Sequence, residues 1–364
     1  MIYKNLIRPF LFLMDPEKAH NRIHKMGVFF SRIPFLLSLF ERLFVHKSPG
    51  LNQKIHGQIF ENPVGLAAGF DKNAHLISLM PTLGFGFTEI GSITANPSNG
   101  NPLPRMFRLS DDHGIINRMG LNNDGAAQIV ERILNSKHIS IPLGINVAKT
   151  HDPSILGDKA IEDYITSFKI AQKIADYITI NISCPNTEEG KTFEDPDALQ
   201  TLLSSIKKIR STDRFIPVYV KLSADLTPSE LETLVAICES NEIDGYIATN
   251  TSSHRDNLSE KSTLLTQSIG KGGLSGASIY NKSLNTVRTL AKITQGIKPI
   301  IAVGGIDSAE KTIEMIQNGA WLIQIYTGLI YEGPLLPNKI NRGLNRYMMT
   351  KGFTNLTQMR GSKL

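Results

Sequence analysis

Apolar positions along this chain follow two patterns that change near residue 45. In residues 1–45 the spacing is helical: Ile2, Leu6, Phe10 and Leu13 share one face, a second segment runs from Ala19 to about Phe30, and a third occupies 33–40. From about Leu51 onward, short continuous apolar runs alternate with helical stretches. The pattern predicts a helical extension over 1–45 and an α/β domain over 46–364.

Eight apolar runs can be counted in the second part, and most of them end in Gly, Asn, Ser or Thr. They are Pro63–Ala68, Gly86–Ser92, Leu143–Ala148, Tyr177–Ser183, Val218–Ser223, Gly245–Asn250, Ile300–Gly304 and Leu322–Thr327. Helical stretches between them include Asp197–Arg210, Pro228–Asn241, Ser283–Lys292 and Ser308–Asn318. Eight buried strands alternating with helices over about 280 residues predict a (β/α)8 TIM barrel with an N-terminal helical extension. A doubly wound open sheet is the alternative, less favoured because polar motifs follow strands around the whole set rather than at one switch point.

The most chemically informative stretch is Asn181-Ile182-Ser183-Cys184-Pro185-Asn186, which follows the apolar run 177–180. Loops at the C-terminal ends of barrel strands build the active site, so these amides, the hydroxyl and the thiol are candidates for catalysis. The thiol of Cys184 could act as a base if nearby cations or the ligand lower its pKa. Cys238, within a predicted helix, is interpreted as a buried hydrophobe.

Other strand ends carry small residues and hydrogen-bonding groups suited to a flat, phosphate-bearing ligand. Gly65–Asn73 closes the first strand with small residues and Lys72, and Val303–Ser308 and Ile325–Gly328 follow the last two strands. Backbone N–H groups after the last two strands of such barrels commonly hold a phosphate. Lys221, Asn146, Asn250 and Thr251 end three further strands. No metal-ligand spacing of His, Cys or Asp is found in the sequence.

Charge and cysteine content limit the classes of ligand and the cellular compartment that suit this chain. The 39 Lys and Arg against 33 Asp and Glu give a net charge of +6, which does not imply nucleic acid and is compatible with a phosphate ligand, an acidic substrate or an anionic membrane surface. Two cysteines form no disulfide framework, which favours a reducing compartment. The sequence shows no signal-peptide pattern and no apolar run of about 18 residues, so we expect a cytoplasmic location.

The first 45 residues leave two interpretations open. Short, very apolar segments flanked by Arg32, Arg42 and Lys47 suit the interfacial plane of a membrane. An ordinary helical hairpin packed on the main domain has the same periodicity.

Taken together, these motifs resemble the dihydroorotate dehydrogenase family along almost the whole chain. The matching stretches, in the family's order, are 65–72, 89–92, 117–120, 181–186, 247–251, 272–276 and 303–308. The N-terminal stretch Leu13–His20 resembles the membrane-associated, quinone-reducing class 2 enzymes. This resemblance favours the membrane interpretation of the extension and implies a peripheral enzyme at the cytoplasmic side of the inner membrane. It implies no nucleic acid and no obligate protein partner.

The resemblance also implies roles for individual residues. Contacts to the cofactor FMN would come from Ala68, Gly69, Lys72, Ser92, Asn146, Asn181, Lys221, Thr249, Gly276, Gly305, Tyr326 and Thr327. Dihydroorotate would meet Lys72, Asn117, Arg118, Met119, Gly120, Leu121, Asn181, Asn186, Asn250 and Thr251. His20, Arg108 and Tyr326 match positions that line the quinone path. The implied reaction removes a proton from C5 of dihydroorotate, with Cys184 as base, and a hydride from C6, with quinone as final acceptor.

Three features depart from the class 2 pattern. Cys184 stands where class 2 members usually carry Ser, Leu121 replaces a usual Phe, and the loop 187–192 lacks the usual Pro-Gly-Leu-Arg. The first two are typical of the soluble class 1 enzymes, so a class 1-like enzyme with an acceptor such as fumarate is an alternative. A tRNA dihydrouridine synthase is another, but it would need a basic RNA-binding surface and an extra C-terminal domain. A catalytically silent flavin-binding barrel would not explain Asn117, Asn186, Asn250 and Cys184 together.

Overall fold

The structure is a computed structural model that describes residues 2–136, 139–183, 193–211 and 213–364. In these residues the strands are β1 (Gln53–Ile55), β2 (Gln58–Phe60), β3 (Val64–Leu66), β4 (Phe87–Ile93), β5 (Met106–Leu109), β6 (Gly114–Asn117), β7 (Leu143–Val147), β8 (Tyr177–Asn181), β9 (Val218–Leu222), β10 (Gly245–Ala248), β11 (Gly273–Gly276), β12 (Ile300–Val303) and β13 (Leu322–Ile325). The α-helices are α1 (Arg8–Phe12), α2 (Pro16–Ser31), α3 (Pro34–Phe44), α4 (Ala126–Leu134), α5 (Asp158–Ala171), α6 (Pro196–Ile209), α7 (Pro228–Ser240), α8 (Glu260–Ile269), α9 (Tyr280–Ile293), α10 (Ala309–Gln317), α11 (Thr327–Glu332), α12 (Leu336–Lys351) and α13 (Leu356–Met359).

Eight parallel strands close into a barrel in the order β3-β4-β7-β8-β9-β10-β12-β13, and β13 pairs with β3 to complete it. Each of the eight predicted apolar runs coincides with one of these strands to within a few residues at its ends, so the predicted (β/α)8 barrel is confirmed. The runs are continuous rather than alternating because helices cover the outside of the sheet while side chains fill the inside.

The bottom of the barrel is filled by aromatic and branched side chains. Phe87, Tyr177 and Tyr219 are fully or almost fully buried there. The β1–β2 hairpin, which the sequence did not predict, adds Ile55 and Phe60 to this cluster and so closes the N-terminal end of the barrel. The cavity described below lies at the opposite end, where the barrel strands end.

Side-chain caps begin two of the barrel helices. Thr227 makes a capping box with Glu230 at the start of α7, and Ser308 caps α10 by accepting a hydrogen bond from the backbone N–H of Lys311. Each cap begins its helix shortly after a strand end, which fixes how the chain leaves the C-terminal end of the barrel.

A second sheet lies over this end. Strands β5, β6 and β11 form an antiparallel sheet in the order β11-β6-β5, with Gly273 opposite Asn117. Residues 117–120 and 272–276 stand out in the sequence as motifs, but no strands were predicted there. Strands of four residues, two of them rich in glycine, are too short to show a clear period.

The N-terminal extension forms α1, α2 and α3, and the residues Tyr3–Ile7 before α1 are also helical. Asp15 caps α2 through the backbone N–H of Lys18, so this helix starts earlier than predicted. Of the side chains predicted to share a face, Phe10 is 72% and Leu13 is 85% exposed. No single helix in the described residues is long and apolar enough to cross a bilayer; α2 and α3 would meet that test only as a pair, and they are bent by 110°.

Candidate active site

A polar cavity opens where the barrel strands end. Its walls come from the ends of β3, β4, β8, β9, β10, β12 and β13, and the sheet β11-β6-β5 covers it. The predicted site residues that line it are Ala68, Gly69, Lys72, Ser92, Asn117, Met119, Gly120, Leu121, Asn181, Lys221, Thr249, Asn250, Thr251, Gly276, Gly305, Tyr326 and Thr327. The structure therefore brings most of the predicted set together around one space.

A chain of hydrogen bonds fixes the amides of this cavity. Asn146 donates from Nδ2 to Glu89 Oε1 at 2.9 Å, and its Oδ1 accepts from the hydroxyl of Ser92 at 2.5 Å. Asn181 Nδ2 donates to the same hydroxyl at 3.1 Å, and Asn250 Nδ2 lies 3.2 Å from Asn181 Oδ1. Because each amide has assigned partners, the side chains of Asn181 and Asn250, which line the cavity, are held in fixed orientations.

Glu89 anchors this chain from beneath. Its side chain is fully buried on β4 and accepts hydrogen bonds from Tyr177 at 3.1 Å and from Gln324 at 2.7 Å, in addition to Asn146. Burial and the Glu89 carboxylate raise the pKa of Tyr177 well above its usual range, so this phenol stays a hydrogen-bond donor. None of these three groups was predicted from the sequence, because β4, β8 and β13 meet only once the barrel closes.

Two lysines bring positive charge to the cavity. Lys72 and Lys221 both line the cavity, where their ammonium groups can pair with a ligand. Burial lowers the pKa of both. For Lys72 the value falls to about 8, with burial the largest cause, the charge of Arg105 adding to it and Glu17 opposing it.

Glycines keep three loops close to the cavity. Gly276 and Gly305 have φ of 108° and 72°, and a side chain on Gly276 would meet the backbone of Gly114 at 2.8 Å. A Cβ on Gly69 would lie 3.3 Å from the ring of Tyr326. Thr327 lines the same cavity, and its hydroxyl lies 2.9 Å from that of Ser275.

Two predicted site residues do not line the cavity. Asn146 lies beneath Ser92, fully buried, and acts on the cavity through that hydroxyl. The guanidinium of Arg118 points elsewhere: it donates to the carbonyls of Ile269 and Pro104 and lies 4.9 Å from the ring centre of Phe107. Since Ile269 ends α8, its carbonyl is an attractive partner for a cation, and the substrate contact expected of Arg118 stays a prediction.

The predicted base Cys184 and the predicted substrate ligand Asn186 lie outside the described residues. The last described residue before them is Ser183. Its carbonyl and hydroxyl both accept hydrogen bonds from Asn250 Nδ2, which lines the cavity.

A second cavity, of about 440 Å³, lies beneath the N-terminal extension and is almost entirely apolar. Side chains from α1, α2 and α3 form one wall, and Phe70, Met80 and Leu329 are among those of the other. Two of the three residues predicted for a quinone path, His20 and Arg108, line it.

His20 is uncharged in this cavity, and the guanidinium of Arg108 is bound to backbone carbonyls. Burial and the charge of Lys72 lower the pKa of His20 to about 3, so its imidazole is neutral. Arg108 donates to the carbonyl of Met14 at 2.7 Å and to those of Phe12 and Leu11, both at 3.2 Å, where α1 ends. Arg108 therefore also holds the extension on the barrel.

The two cavities meet at a thin wall. Met106 and Ile115, on the paired strands β5 and β6, line both of them. The third residue predicted for the quinone path, Tyr326, lines the polar cavity, and its ring centre lies 5.5 Å from that of Phe70, which in turn lies 5.1 Å from His20. The sequence did not single out Met106 or Ile115, because their shared position depends on the unpredicted sheet.

Fold and cavities define the class of protein: a (β/α)8-barrel enzyme with a polar site at the strand ends and an apolar site beside it. The family model described as "Dihydroorotate dehydrogenase" matches residues 50–348. The chain belongs to the dihydroorotate dehydrogenase family, which is flavin-dependent, and the family predicted from the sequence is confirmed.

Relatives named "Dihydroorotate dehydrogenase (quinone)" match nearly end to end. The protein of Roseiflexus sp. (strain RS-1) is 39% identical over 358 residues, 98% of this chain and 97% of that protein. That of Natronomonas pharaonis is 41% identical over 351 residues, 96% of each. The ligand-free crystal structure of DHODH from Eimeria tenella, 30% identical, has a TM-score of 0.82 over 96% of this chain and 99% of that one.

Proposed function

We propose that this protein oxidises dihydroorotate to orotate and passes the electrons to a quinone, as a step of de novo pyrimidine biosynthesis. The observation that carries the proposal is a pair of cavities that meet at Met106 and Ile115, one with lysines, amides and hydroxyls in its wall and the other almost entirely apolar. A charged, water-soluble substrate suits the polar cavity, and a lipid-soluble acceptor suits the apolar one.

The polar cavity fits the cofactor FMN. Glycines at positions 69, 276 and 305 leave room for a planar ring system and a phosphate close to the backbone, since an added Cβ would crowd the neighbouring chain. The residues that would hold FMN are those predicted from the sequence, with Asn146 acting through Ser92. When bound, FMN supplies a centre that accepts a hydride and releases electrons singly or in pairs.

The remaining polar groups would bind and orient the substrate. Asn117 and Asn250 approach the cavity from opposite sides, and Lys72 brings a positive charge for the carboxylate. Amides held by hydrogen bonds of their own present a fixed pattern to the pyrimidine ring, so the C5–H and C6–H bonds are aligned before reaction. Cys184, next to Ser183 in the chain, would take the C5 proton on its Sγ.

The N-terminal extension would receive the quinone and hold the enzyme at the membrane. Its exposed apolar side chains include Phe10, Phe29 and Phe35, at 72%, 61% and 74% exposure. Lys18, Arg22 and Lys25 stand on the outer face of α2, where they could meet anionic lipid. This supports a peripheral enzyme at the cytoplasmic side of the inner membrane, with extension and barrel divided near residue 45.

One assay tests the proposal and its class 1-like alternative. Purified protein loaded with FMN is given dihydroorotate and, in separate reactions, a short-chain ubiquinone, fumarate or NAD as acceptor. We expect turnover with the quinone, measured as orotate formed, and little with the other two. Faster turnover with fumarate would favour the alternative, and no flavin bleaching by dihydroorotate would contradict the function.

A further inference from the structure

A buried ion pair joins the N-terminal extension to the barrel. Arg105, just before β5, donates from Nε to both carboxylate oxygens of Glu17 on α2, at 3.0 and 3.1 Å, and from a terminal nitrogen to Oε1 at 2.8 Å. The two side chains are only 12% and 10% exposed. A bidentate pair with so little access to water is costly to break, because one charge would stay buried without its partner.

The guanidinium of Arg105 also binds the segment 99–101, which packs behind residues 118–121 of the polar cavity's wall. Its Nη1 donates to the carbonyl of Asn99 at 2.7 Å and to that of Asn101 at 3.0 Å. Asn101 in turn bonds the carbonyl of Met119 through its backbone N–H at 3.1 Å, and that of Arg118 through its side chain at 2.9 Å. Met119 lines the polar cavity, so it stands two hydrogen bonds from Arg105.

Close packing makes this connection stiff. A Cβ on Gly120 would lie 2.5 Å from the backbone nitrogen of Asn101, and one on Gly100 would lie 3.0 Å from Nη1 of Arg105. The two segments are packed too closely to admit a side chain at either glycine, and each is held by the hydrogen bonds above. A substitution at Glu17 would therefore change the positions of Met119 and Gly120.

The pair also acts on the cavity by its charges. Arg105 and Glu17 shift the pKa of Lys72 in opposite directions, and burial and Glu17 raise the pKa of Tyr326. Both residues line the polar cavity. Glu17 is thus close enough to influence two of its walls, although it belongs to the extension.

We propose that Glu17 is a positioning residue for the dihydroorotate site: it orients Arg105, and Arg105 fixes the segment 99–101 behind the substrate wall 118–121. The proposal rests on the function proposed above. It means that the extension serves the oxidation of dihydroorotate as well as the quinone and the membrane.

The test uses the full chain loaded with FMN, with Glu17→Gln as the main variant. Rapid mixing with dihydroorotate, without quinone, gives the dissociation constant and the limiting rate of flavin bleaching separately, and orotate binding is followed by the change in flavin absorption. We expect both dissociation constants to rise roughly tenfold while the limiting rate changes less, because the wall loosens but the reacting groups remain. Glu17→Gln combined with Arg105→Gln should bind no more weakly than Arg105→Gln alone, since both act through one contact.

A matched control separates positioning from general loosening of the extension. Glu332 on α11 makes the ion pair with Lys4, which also ties the extension to the barrel. Glu332→Gln makes the same chemical change and should leave both dissociation constants unchanged. Arg105→Lys keeps the positive charge but loses the bidentate contact of the guanidinium with Glu17. This variant should bind dihydroorotate and orotate weakly, and it provides the test if Glu17→Gln fails to fold.

Unchanged dissociation constants in Glu17→Gln, or in Arg105→Lys where Glu17→Gln does not fold, would overturn the inference. An equal rise in Glu332→Gln would do the same. A wild-type protein that binds FMN but is not bleached by dihydroorotate would instead contradict the proposed function.

Discussion

Among the charged groups of the polar cavity, Lys72 has a pKa, about 8, at which its protonation changes within the range of pH where enzymes work. Its pKa of about 8 means that the ammonium form dominates below this pH and is lost above it. Since only the charged form attracts a carboxylate, we expect the dissociation constant of orotate to be flat up to about pH 8 and then to rise toward tenfold per pH unit. Orotate is the better probe because its binding needs no base.

The measurement is flavin absorption on titration with orotate between pH 7 and 9. Lys72→Met should bind orotate weakly at every pH, which assigns the dependence to Lys72 rather than to Lys221, whose pKa is also lowered. A wild-type dissociation constant that stays flat to pH 9 would show that Lys72 does not pair with the carboxylate.

Cys184 carries the prediction about proton removal. A thiol has a reference pKa of about 8.5 and ionises far more readily than a serine hydroxyl. We expect flavin bleaching by dihydroorotate to rise with pH through an apparent pKa that belongs to Cys184. Cys184→Ala should bind orotate but bleach orders of magnitude more slowly. Cys184→Ser should keep measurable activity, with its pH profile displaced upward.

Cys238 offers the matched control, because it is fully buried on α7 and burial raises the pKa of its thiol. Cys238→Ala should cost stability, by roughly 1 kcal/mol for one small buried group, without slowing flavin bleaching. Equal bleaching rates in wild type and Cys184→Ala would assign the base to another group.

Among the elements, the barrel strands were the easiest to predict and the covering sheet the hardest. A parallel strand buried on both faces reads as a continuous apolar run, and this gave all eight barrel strands with small errors at their ends. β6 and β11 are four residues each, contain glycine, and pair across more than 150 residues of sequence, so no local pattern marks them. Site residues at strand ends were predictable for the same reason as the strands.

Residues whose role depends on a distant partner were not predictable. Glu89 meets Tyr177 and Gln324 only inside the closed barrel, and Arg118 turns to the end of α8 only because that helix lies beside β6. Glu17 lies in the stretch 13–20 that resembles the class 2 enzymes, but nothing in the local sequence indicates its partner 88 residues away.

Helix α3 carries the element-level prediction for membrane binding. Phe35, Leu39 and Leu43 are four residues apart and are 74%, 38% and 58% exposed, so they form an apolar stripe that faces away from the barrel. Replacing all three with Ser should reduce sedimentation with vesicles that contain anionic lipid, because the buried apolar area on the membrane is lost. Flavin bleaching by dihydroorotate should be unchanged.

The comparison variant replaces three equally exposed leucines on the barrel helices, Leu134, Leu264 and Leu265, at 65%, 60% and 43% exposure. It should sediment like the wild type. If both variants lose binding equally, general surface hydrophobicity rather than α3 holds the protein on vesicles.

For the molecule as a whole, the two cavities predict separable half-reactions. Ile23 on α2 lines the apolar cavity but not the polar one. Ile23→Trp should raise the KM for quinone by roughly tenfold, because the larger ring occupies the acceptor's space, and leave bleaching by dihydroorotate unaltered. Ile59→Trp, at an exposed position on the β1–β2 hairpin, controls for the added ring. A slower bleaching step in Ile23→Trp would mean that the two sites are not independent.

The wall formed by Met106 and Ile115 separates a cavity suited to a water-soluble reactant from one suited to a lipid-soluble reactant. A dihydroorotate anion would have to shed its hydration to enter the apolar cavity, and a quinone tail that entered the polar one would meet the buried polar groups of Lys72, Asn181 and Lys221. Acceptor affinity should therefore increase with tail length by about 0.8 kcal/mol per methylene until the space is filled, whatever the concentration of dihydroorotate. A lipid-soluble and a water-soluble reactant can then use one protein at the same time without competing for an entrance.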